Sequence, residues 1–203
     1  MLVNNEFGQN YAAEQFRRSR HPIRTIIKRL YLDNILRDVR GPTVDFGCGA
    51  GQLLARLPHG SVGLEVNPYL VEELAKAGLN VTLYDPDADQ FAFSNLPNKA
   101  FTTLVMAHVL EHFTDAAQVL RQLLRSCRRL GVERVILVLP TTRGFASDNT
   151  HKTFVDFGYL QNHGLLHCEG FAVAKTTYFP GNCKAIGRFF TYHEFKVVYD
   201  FQN

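Results

Sequence analysis

The sequence of 203 residues predicts an α/β protein built on one doubly wound, mostly parallel sheet. Short apolar runs alternate five times with stretches of helical periodicity, which is typical of strands joined by crossover helices. A glycine-rich loop follows the first apolar run. Two long runs rich in β-branched and aromatic residues end the chain, at about 169–179 and 188–201. Pro180-Gly181-Asn182 lies between them, so they predict an antiparallel hairpin.

Composition and charge indicate a globular chain with one full core. Hydrophobic residues make up 46% and charged residues 20%, and the net charge of +3 is too small to predict a nucleic-acid partner. No run approaches about 18 apolar residues, and no signal pattern is visible, so we expect no membrane span and a cytoplasmic location. The oligomeric state stays open. Four cysteines without C-x-x-C spacing predict neither a zinc site nor a redox pair: Cys48, Cys127, Cys168 and Cys183.

The first 40 residues predict a helical lead-in ahead of the main domain, 41–203. The helical pattern begins at Tyr11 and restarts at His21-Pro22, because proline suits the first turn of a helix. Basic residues crowd this segment: Arg17, Arg18, Arg20, Arg24, Lys28 and Arg29. We interpret them as a solvated helix face, with a docking surface for an anionic partner as the alternative.

The other elements follow from periodicity and from helix-start residues. Strands are predicted at 42–46, 61–66, 81–85, 101–107 and 135–139, and helices at 53–57, 67–77, 115–130 and 154–162. Asp115 is the expected cap of the longest helix. The run at 101–107 is continuously apolar, as a buried parallel strand should be.

The loop after the first strand reads Gly47-Cys48-Gly49-Ala50-Gly51. Glycine lets the backbone turn tightly and lets a ligand approach main-chain N–H groups. The spacing is G-x-G-x-G, whereas a pyrophosphate-binding dinucleotide fold expects G-x-G-x-x-G. We therefore expect a nucleoside-type ligand without phosphates. A carboxylate at the end of the second strand, Glu65, is placed to accept hydrogen bonds from both hydroxyls of a ribose.

Three segments together resemble the class I S-adenosylmethionine-dependent methyltransferases. They are V-D-F-G-C-G-A-G-Q at 44–52, D-A-D-Q-F-A-F at 87–93 and V-L-E-H at 109–112. The resemblance implies a Rossmann-like single domain with seven strands in the order 3-2-1-4-5-7-6, and S-adenosylmethionine as cofactor. The chain departs from the family pattern at Phe91, Ala92 and Thr102-Thr103. The missing proline, replaced by Ala92, leaves the register of the second segment open by about two residues.

The resemblance also implies the residues that hold the cofactor. Asp45 would lie near the methionyl amino group and Glu65 at the ribose. Asp87 and the N–H of Ala88 would meet the adenine, with Asp85 as a competitor. The full implied set is Asp45, Gly47, Cys48, Gly49, Gly51, Glu65, Val66, Asp87, Ala88 and His108.

Catalytic candidates lie in the polar loop after the fifth strand. Its D-x-T-H-x-x-F stretch resembles one found in methyltransferases encoded among glycan and lipid-sugar genes. Histidine titrates near neutrality, so His151 is the candidate general base, with Asp148 orienting it and His108 as the alternative base. A structural loop is the competing interpretation.

The segment His108-x-x-Glu111-His112 also fits a zinc peptidase pattern. It follows a buried strand and a nucleoside-type loop, and the family resemblance explains it without a metal. We therefore expect no metal ion.

These observations predict transfer of a methyl group from S-adenosylmethionine to a small molecule or to the sugar or lipid part of a glycan. An Asn-Pro-Pro-Tyr-like run is absent from the sequence after the fourth strand, which argues against amino methylation of nucleic acid. Two alternatives remain: a degenerate fold that binds the cofactor as a scaffold, and a nicotinamide-dependent oxidoreductase. A nicotinamide-dependent oxidoreductase would require the longer glycine spacing and a separate substrate domain.

Overall fold

The computed structural model describes residues 22–202, with side chains from Arg29 onward. Eight strands of these described residues form one sheet: β1 Thr43–Phe46, β2 Val62–Glu65, β3 Val81–Leu83, β4 Thr103–Ala107, β5 Arg134–Pro140, β6 His167–Cys168, β7 Phe171–Phe179 and β8 Glu194–Phe201. The α-helices are α1 Pro22–Leu36, α2 Pro68–Lys76, α3 Pro86–Asp89, α4 Ala116–Leu130, α5 Thr142–Phe145 and α6 Phe157–Asn162. Turns of 3₁₀ helix lie at Leu54–Arg56, Leu110–His112 and Lys184–Arg188.

The sheet has the order β3-β2-β1-β4-β5-β8-β7-β6. The first five strands in this order pair in parallel, while β8, β7 and β6 pair antiparallel. The predicted α/β sheet with a terminal antiparallel hairpin is confirmed. The predicted sixth and seventh strands are β7 and β8, so the predicted order holds once the extra two-residue strand β6 is set apart.

Two local predictions were wrong. The stretch 53–57 forms only a 3₁₀ turn, Leu54–Arg56. The last strand begins at Glu194 and not near 188, because the chain first turns through Lys184–Arg188 and packs on the end of β5. Gly187 shows how close that packing is, since a Cβ on it would lie within 2.5 Å of the Cβ of Thr141.

The main core lies between the sheet and α4. Asp115 caps this helix by accepting from the N–H of Gln118, and Gly131 ends it at φ 80°. The buried face of α4 includes Leu120, Leu123, Leu124 and Cys127. These residues recur at three- and four-residue spacing, which is why periodicity alone predicted the helix to within a residue.

The described part of the lead-in, α1, packs on the opposite face of the sheet. Tyr31, Leu32 and Ile35 form a second core cluster with residues of β4, β5 and β8. The expected restart at Pro22 is where α1 begins. The lead-in before residue 22, including Tyr11, and the side chains of the predicted basic residues up to Lys28 lie outside the described residues. The boundary at residue 41 stays a prediction. No helix in the described part of the chain is long and apolar enough to cross a membrane.

A buried ion pair ties α1 to the sheet. Lys196 of β8 is 2% exposed, and its Nζ lies 2.6 Å from Oδ2 of Asp38 just after α1. The same ammonium donates to the main-chain carbonyl of Asn34 at 2.6 Å. A second lysine, Lys175, reaches Asp38 at 3.0 Å from a side chain that is 49% exposed.

The Lys196→Met variant should therefore lose about 2–3 kcal/mol of unfolding free energy, because it leaves a buried carboxylate with only its exposed partner. The matched control, Lys175→Met, should cost no more than about 1 kcal/mol, because that pair is solvated. Urea unfolding of both variants measures the difference. Equal losses would mean that burial of Lys196 adds nothing to the pair.

Candidate functional site

Five chain segments meet at the edge of the sheet where the parallel strands end. β1, β2, β4 and β5 all run toward this edge, and β8 begins there because it is antiparallel to β5. Carboxyl ends of parallel strands in an open α/β sheet are where ligands bind. The polar side chains at this edge are therefore the candidate functional residues.

Glu65 connects the glycine loop to the end of β2. Its carboxylate is buried, with Oε2 accepting from the N–H of Gly49 at 2.8 Å and Oε1 accepting from the N–H of Asn67 at 2.9 Å. Burial raises the pKa of Glu65, and these backbone N–H groups partly offset the rise. Each carboxylate oxygen has a second lone pair, so both remain able to accept from a ligand.

The three glycines of the loop have different roles. All have positive φ, at 74°, 52° and 70° for Gly47, Gly49 and Gly51. A Cβ on Gly47 would lie 2.5 Å from Val109, and one on Gly51 would lie 2.6 Å from Leu74, so packing requires glycine at both. A Cβ on Gly49 would have nothing within 4 Å. Gly49 therefore faces open space beside the Glu65 carboxylate, where a ligand could lie against the backbone.

The neighbours of these glycines are placed less favourably for side-chain contact with a ligand. Cys48 is buried in a small apolar cluster with Leu54 and Leu74, so its side chain is not placed to contact a ligand. Val66 is half-buried directly after β2.

Asp45 is a buried acid whose carboxylate is not fully hydrogen-bonded. It is 3% exposed within β1, and its Oδ2 has no hydrogen-bond partner among the described residues. Burial, together with the nearby charge of Glu65, raises the pKa of Asp45 to about 7. A cationic ligand group at this position would lower that pKa and relieve the cost of burying the charge.

The segment predicted to hold adenine forms the short helix α3. Asp85 is its cap, with Oδ1 accepting from the N–H of Asp87 at 3.0 Å and from that of Ala88 at 3.1 Å. The Ala88 N–H is thus already engaged, whereas the Asp87 side chain is exposed. Asp87 lines an open cleft of about 470 Å³ with Phe91 and Phe113 among the other lining residues. The adenine assignment stays a prediction.

His108 lies between two carboxylates. Its Nε2 is 2.9 Å from Oε1 of Glu194 and its Nδ1 is 3.4 Å from Oε1 of Glu111. Burial opposes a charge on the ring, but Glu194 and Glu111 outweigh it and raise the pKa of His108 to about 10. His108 is therefore a cation at neutral pH in this arrangement, which is unsuited to accepting a proton.

Two residues at this site were missed in the sequence. Glu194 lies 86 positions from His108 along the chain, and only the pairing of β8 with β5 brings it to the edge. Tyr31 of α1 has its ring centroid 5.9 Å from that of His108. Burial and the charges of Glu194, Asp45 and Glu111 raise the pKa of the Tyr31 hydroxyl well above its usual value. Neither residue belongs to a motif, so sequence patterns offered no signal for them.

The loop after β5 brings His151 to the same edge. Its Nδ1 is 2.9 Å from the carbonyl oxygen of Phe145, and its ring stacks on the Phe145 ring with centroids 5.2 Å apart. Nε2 lies 3.8 Å from Oε1 of Glu111. The chain here is fixed to the turn after β4, because the N–H groups of Lys152 and Thr153 donate to the Glu111 carbonyl at 2.8 and 3.1 Å.

Asp148 contacts a different partner from the one predicted. Its Oδ1 accepts from the hydroxyl of Thr150 at 2.6 Å and from the Thr150 N–H at 2.9 Å. The Thr150 hydroxyl oxygen lies 3.1 Å from Nδ1 of His112. Among side chains, Asp148 thus supports His112 through Thr150, while the carbonyl of Phe145 orients the His151 ring.

Comparison with known proteins identifies the domain. Residues 44–133 match the family model described as a methyltransferase domain. These residues form a methyltransferase domain. The match includes the glycine loop, Glu65 and the segment at 108–112, so the family predicted from those motifs is confirmed. His151 and Glu194 lie beyond the matched residues.

Solved structures share the fold of the whole described chain. A methyltransferase dependent on S-adenosylmethionine from Archaeoglobus fulgidus gives a TM-score of 0.65 at 18% identity, covering 95% of this chain and 100% of that one. Magnesium protoporphyrin IX methyltransferase from Synechocystis PCC 6803, with bound S-adenosylhomocysteine, gives 0.65 at 16% identity, covering 95% of each chain. A chain from the complex between the Haloferax volcanii Trm112 methyltransferase activator and the putative methyltransferase gives 0.69 at 13% identity, covering 99% and 100%. No curated protein matches the sequence significantly.

The glycine geometry of the methyltransferase domain predicts opposite effects of two alanine substitutions. Gly47→Ala should destabilise the fold by more than about 2 kcal/mol, because its Cβ would overlap Val109. Gly49→Ala should cost only about 1 kcal/mol for its left-handed backbone, yet weaken binding of S-adenosylhomocysteine at least tenfold. Thermal unfolding and calorimetric titration measure these effects. Unimpaired binding by Gly49→Ala would show that no ligand lies against that residue.

Asp45 predicts a stability that depends on pH. Its folded pKa of about 7 exceeds its ordinary value of 3.8, so ionisation destabilises the unliganded fold progressively as pH rises between these values. The Asp45→Asn variant lacks this loss, and its stability advantage should grow by roughly 2–3 kcal/mol from pH 5 to pH 8. Urea unfolding at the two pH values measures it. A difference independent of pH would indicate that Asp45 ionises normally in the folded domain.

Proposed function

We propose that the protein transfers the methyl group of S-adenosylmethionine to a hydroxyl of a small molecule or of the sugar or lipid part of a glycan. The observation that carries this proposal is the open space over Gly49, bordered by the carboxylate of Glu65. A ligand in that space would place a ribose within reach of the two carboxylate oxygens of Glu65. Two backbone N–H groups already fix the position of these oxygens.

The buried charges also suit this cofactor, because S-adenosylmethionine has a positively charged sulfonium and a positively charged ammonium group. Oδ2 of Asp45, which has no hydrogen-bond partner among the described residues, lies in the strand directly before the glycine loop. Binding the ammonium there would convert Asp45 from a partly protonated acid to a paired carboxylate. A pyrophosphate on the glycine loop would instead meet the Asp45 carboxylate as a like charge, which argues against a dinucleotide.

Methyl transfer mainly requires that the acceptor oxygen, the methyl carbon and the sulfur be aligned. Methyl transfer is an in-line displacement at carbon, in which the acceptor oxygen forms the new bond while the bond to sulfur breaks. A hydroxyl acceptor must also lose its proton. Of the predicted bases, His108 is a cation between Glu194 and Glu111, so we assign proton removal to the cluster around His151. Asp148 contributes by holding Thr150 and thereby His112.

The Glu65→Ala variant tests cofactor binding. Loss of a charge-assisted contact to the ribose should cost about 1.5–3 kcal/mol, which weakens binding of S-adenosylhomocysteine roughly 10- to 150-fold. Glu73→Ala, an exposed acid on α2, is the matched control and should bind as the wild type does. Isothermal titration calorimetry measures both.

Two further measurements separate the alternatives. A nicotinamide-dependent enzyme would bind NADH in the same titration, which the proposal excludes. A scaffold would bind S-adenosylhomocysteine. It would not, however, convert S-adenosylmethionine to S-adenosylhomocysteine when incubated with hydroxyl-bearing glycans and small alcohols. Equal affinity of Glu65→Ala and wild type would overturn the ribose assignment.

A further inference from the structure

Three side chains from two loops converge beside the proposed acceptor position. Glu111 and His112 lie in the 3₁₀ turn after β4, and His151 lies in the loop after β5. One potential ligand atom from each lies within 4.8 Å of the other two. The sequence pattern had paired His112 with His108, but the fold turns His108 toward Glu194 and brings His151 to the cluster instead.

Glu111 is the central group of this cluster. It is completely buried, and neither of its carboxylate oxygens has a hydrogen-bond partner among the described residues. Its nearest cationic or titratable neighbours are His108, with Nδ1 3.4 Å from Oε1, and His151, with Nε2 3.8 Å from the same oxygen. Glu111 shares the His108 cation with Glu194, so one positive charge faces two carboxylates, and a further bound cation would complete the balance.

Hydrogen bonds to Nδ1 direct Nε2 of each histidine in the cluster toward a ligand role. The Nδ1–H of His151 donates to the Phe145 carbonyl, which leaves Nε2 with its lone pair. Thr150 donates its hydroxyl hydrogen to Asp148, so its oxygen accepts from Nδ1–H of His112, and Nε2 of His112 is again the lone-pair nitrogen. Metal-binding histidines are held in this way, with the second ring nitrogen donating to a carbonyl or to a group backed by a carboxylate.

The cluster is also held rigidly by the backbone. The Glu111 carbonyl accepts from the N–H groups of Lys152 and Thr153, so the two loops that supply the side chains cannot separate independently. Such preformed spacing lowers the entropy lost when three ligands bind one ion.

We propose that Glu111, His112 and His151 bind one divalent transition-metal ion of the Zn²⁺ or Co²⁺ type. Two imidazoles and one carboxylate suit these ions, whereas Mg²⁺ and Ca²⁺ prefer oxygen ligands throughout. Three protein ligands leave coordination positions open, as in catalytic metal sites. The open positions would take an oxygen of the acceptor.

The catalytic consequence rests on the proposed methyl transfer. An acceptor hydroxyl bound to the ion loses its proton to solvent more easily, because the ion stabilises the alkoxide. The alkoxide oxygen then donates its electron pair to the methyl carbon, and the carbon–sulfur pair stays on sulfur, giving the methyl ether and S-adenosylhomocysteine. In this arrangement His151 is a metal ligand, and the ion replaces it in activating the hydroxyl.

Titration of the chelator-treated full chain with Co²⁺ tests the site. Calorimetry and the visible absorption of Co²⁺ should show one equivalent bound by the wild type. Glu111→Gln and His151→Gln should each weaken binding at least about 100-fold, and Thr150→Val, which keeps all three ligands, should weaken it about tenfold. His59→Ala, an exposed histidine elsewhere, is the matched control and should bind as the wild type does. Circular dichroism checks that each variant is folded.

The competing explanation is that the His108 cation alone balances Glu111. It predicts no saturable Co²⁺ site in the wild type, or equal Co²⁺ affinity in wild type, Glu111→Gln and His151→Gln; either result would overturn the metal site. The wild type's titration with S-adenosylhomocysteine, with and without Co²⁺, keeps the two proposals separate. Cofactor binding without a Co²⁺ site refutes the metal alone, and a Co²⁺ site without cofactor binding refutes methyl transfer alone.

Discussion

Buried negative charge at one edge of the sheet is the constraint on which the site depends. Asp45, Glu65, Glu111 and Glu194 all lie where the parallel strands end; the first three are buried, and the side chain of Glu194 is 13% exposed. A carboxylate taken out of water needs a compensating partner. The groups that balance these negative charges differ from one carboxylate to the next. Glu65 receives two backbone N–H groups, and Glu194 and Glu111 share the cation of His108. Asp45 has no comparable support and keeps a pKa near neutrality.

This distribution explains which ligands the edge would accept. Repulsion among buried carboxylates makes an anionic ligand unfavourable, while a sulfonium, an ammonium or a metal ion would reduce it. The proposed cofactor and the proposed ion are both cationic, and they would occupy different parts of the edge. The cofactor would lie over Gly49 and beside Glu65, and the ion would lie between the two loops that carry Glu111 and His151.

Three parts of the chain build this edge, and each contributes by a different kind of interaction. The methyltransferase domain at 44–133 supplies the glycine loop, Glu65 and the turn with Glu111. The loop after β5 is bound to that turn through backbone hydrogen bonds and supplies His151. The antiparallel strand β8 supplies Glu194 and, two residues further along the same face, Lys196, which holds α1 and with it Tyr31 against the sheet.

The sequence by itself determined the local elements and the ligand loop. The periodicity of α4, the apolar run of β4 and the glycine spacing after β1 are encoded in contiguous residues, so they could be predicted without coordinates. Only the tertiary structure decided which charged groups meet. His108 changes from a candidate base to a cation because Glu194 reaches it across 86 positions, and His151 joins Glu111 and His112 because two loops share backbone hydrogen bonds. Protonation and metal binding depend on distances of a few ångströms between residues remote in the chain, and such distances have no periodic signal in a sequence.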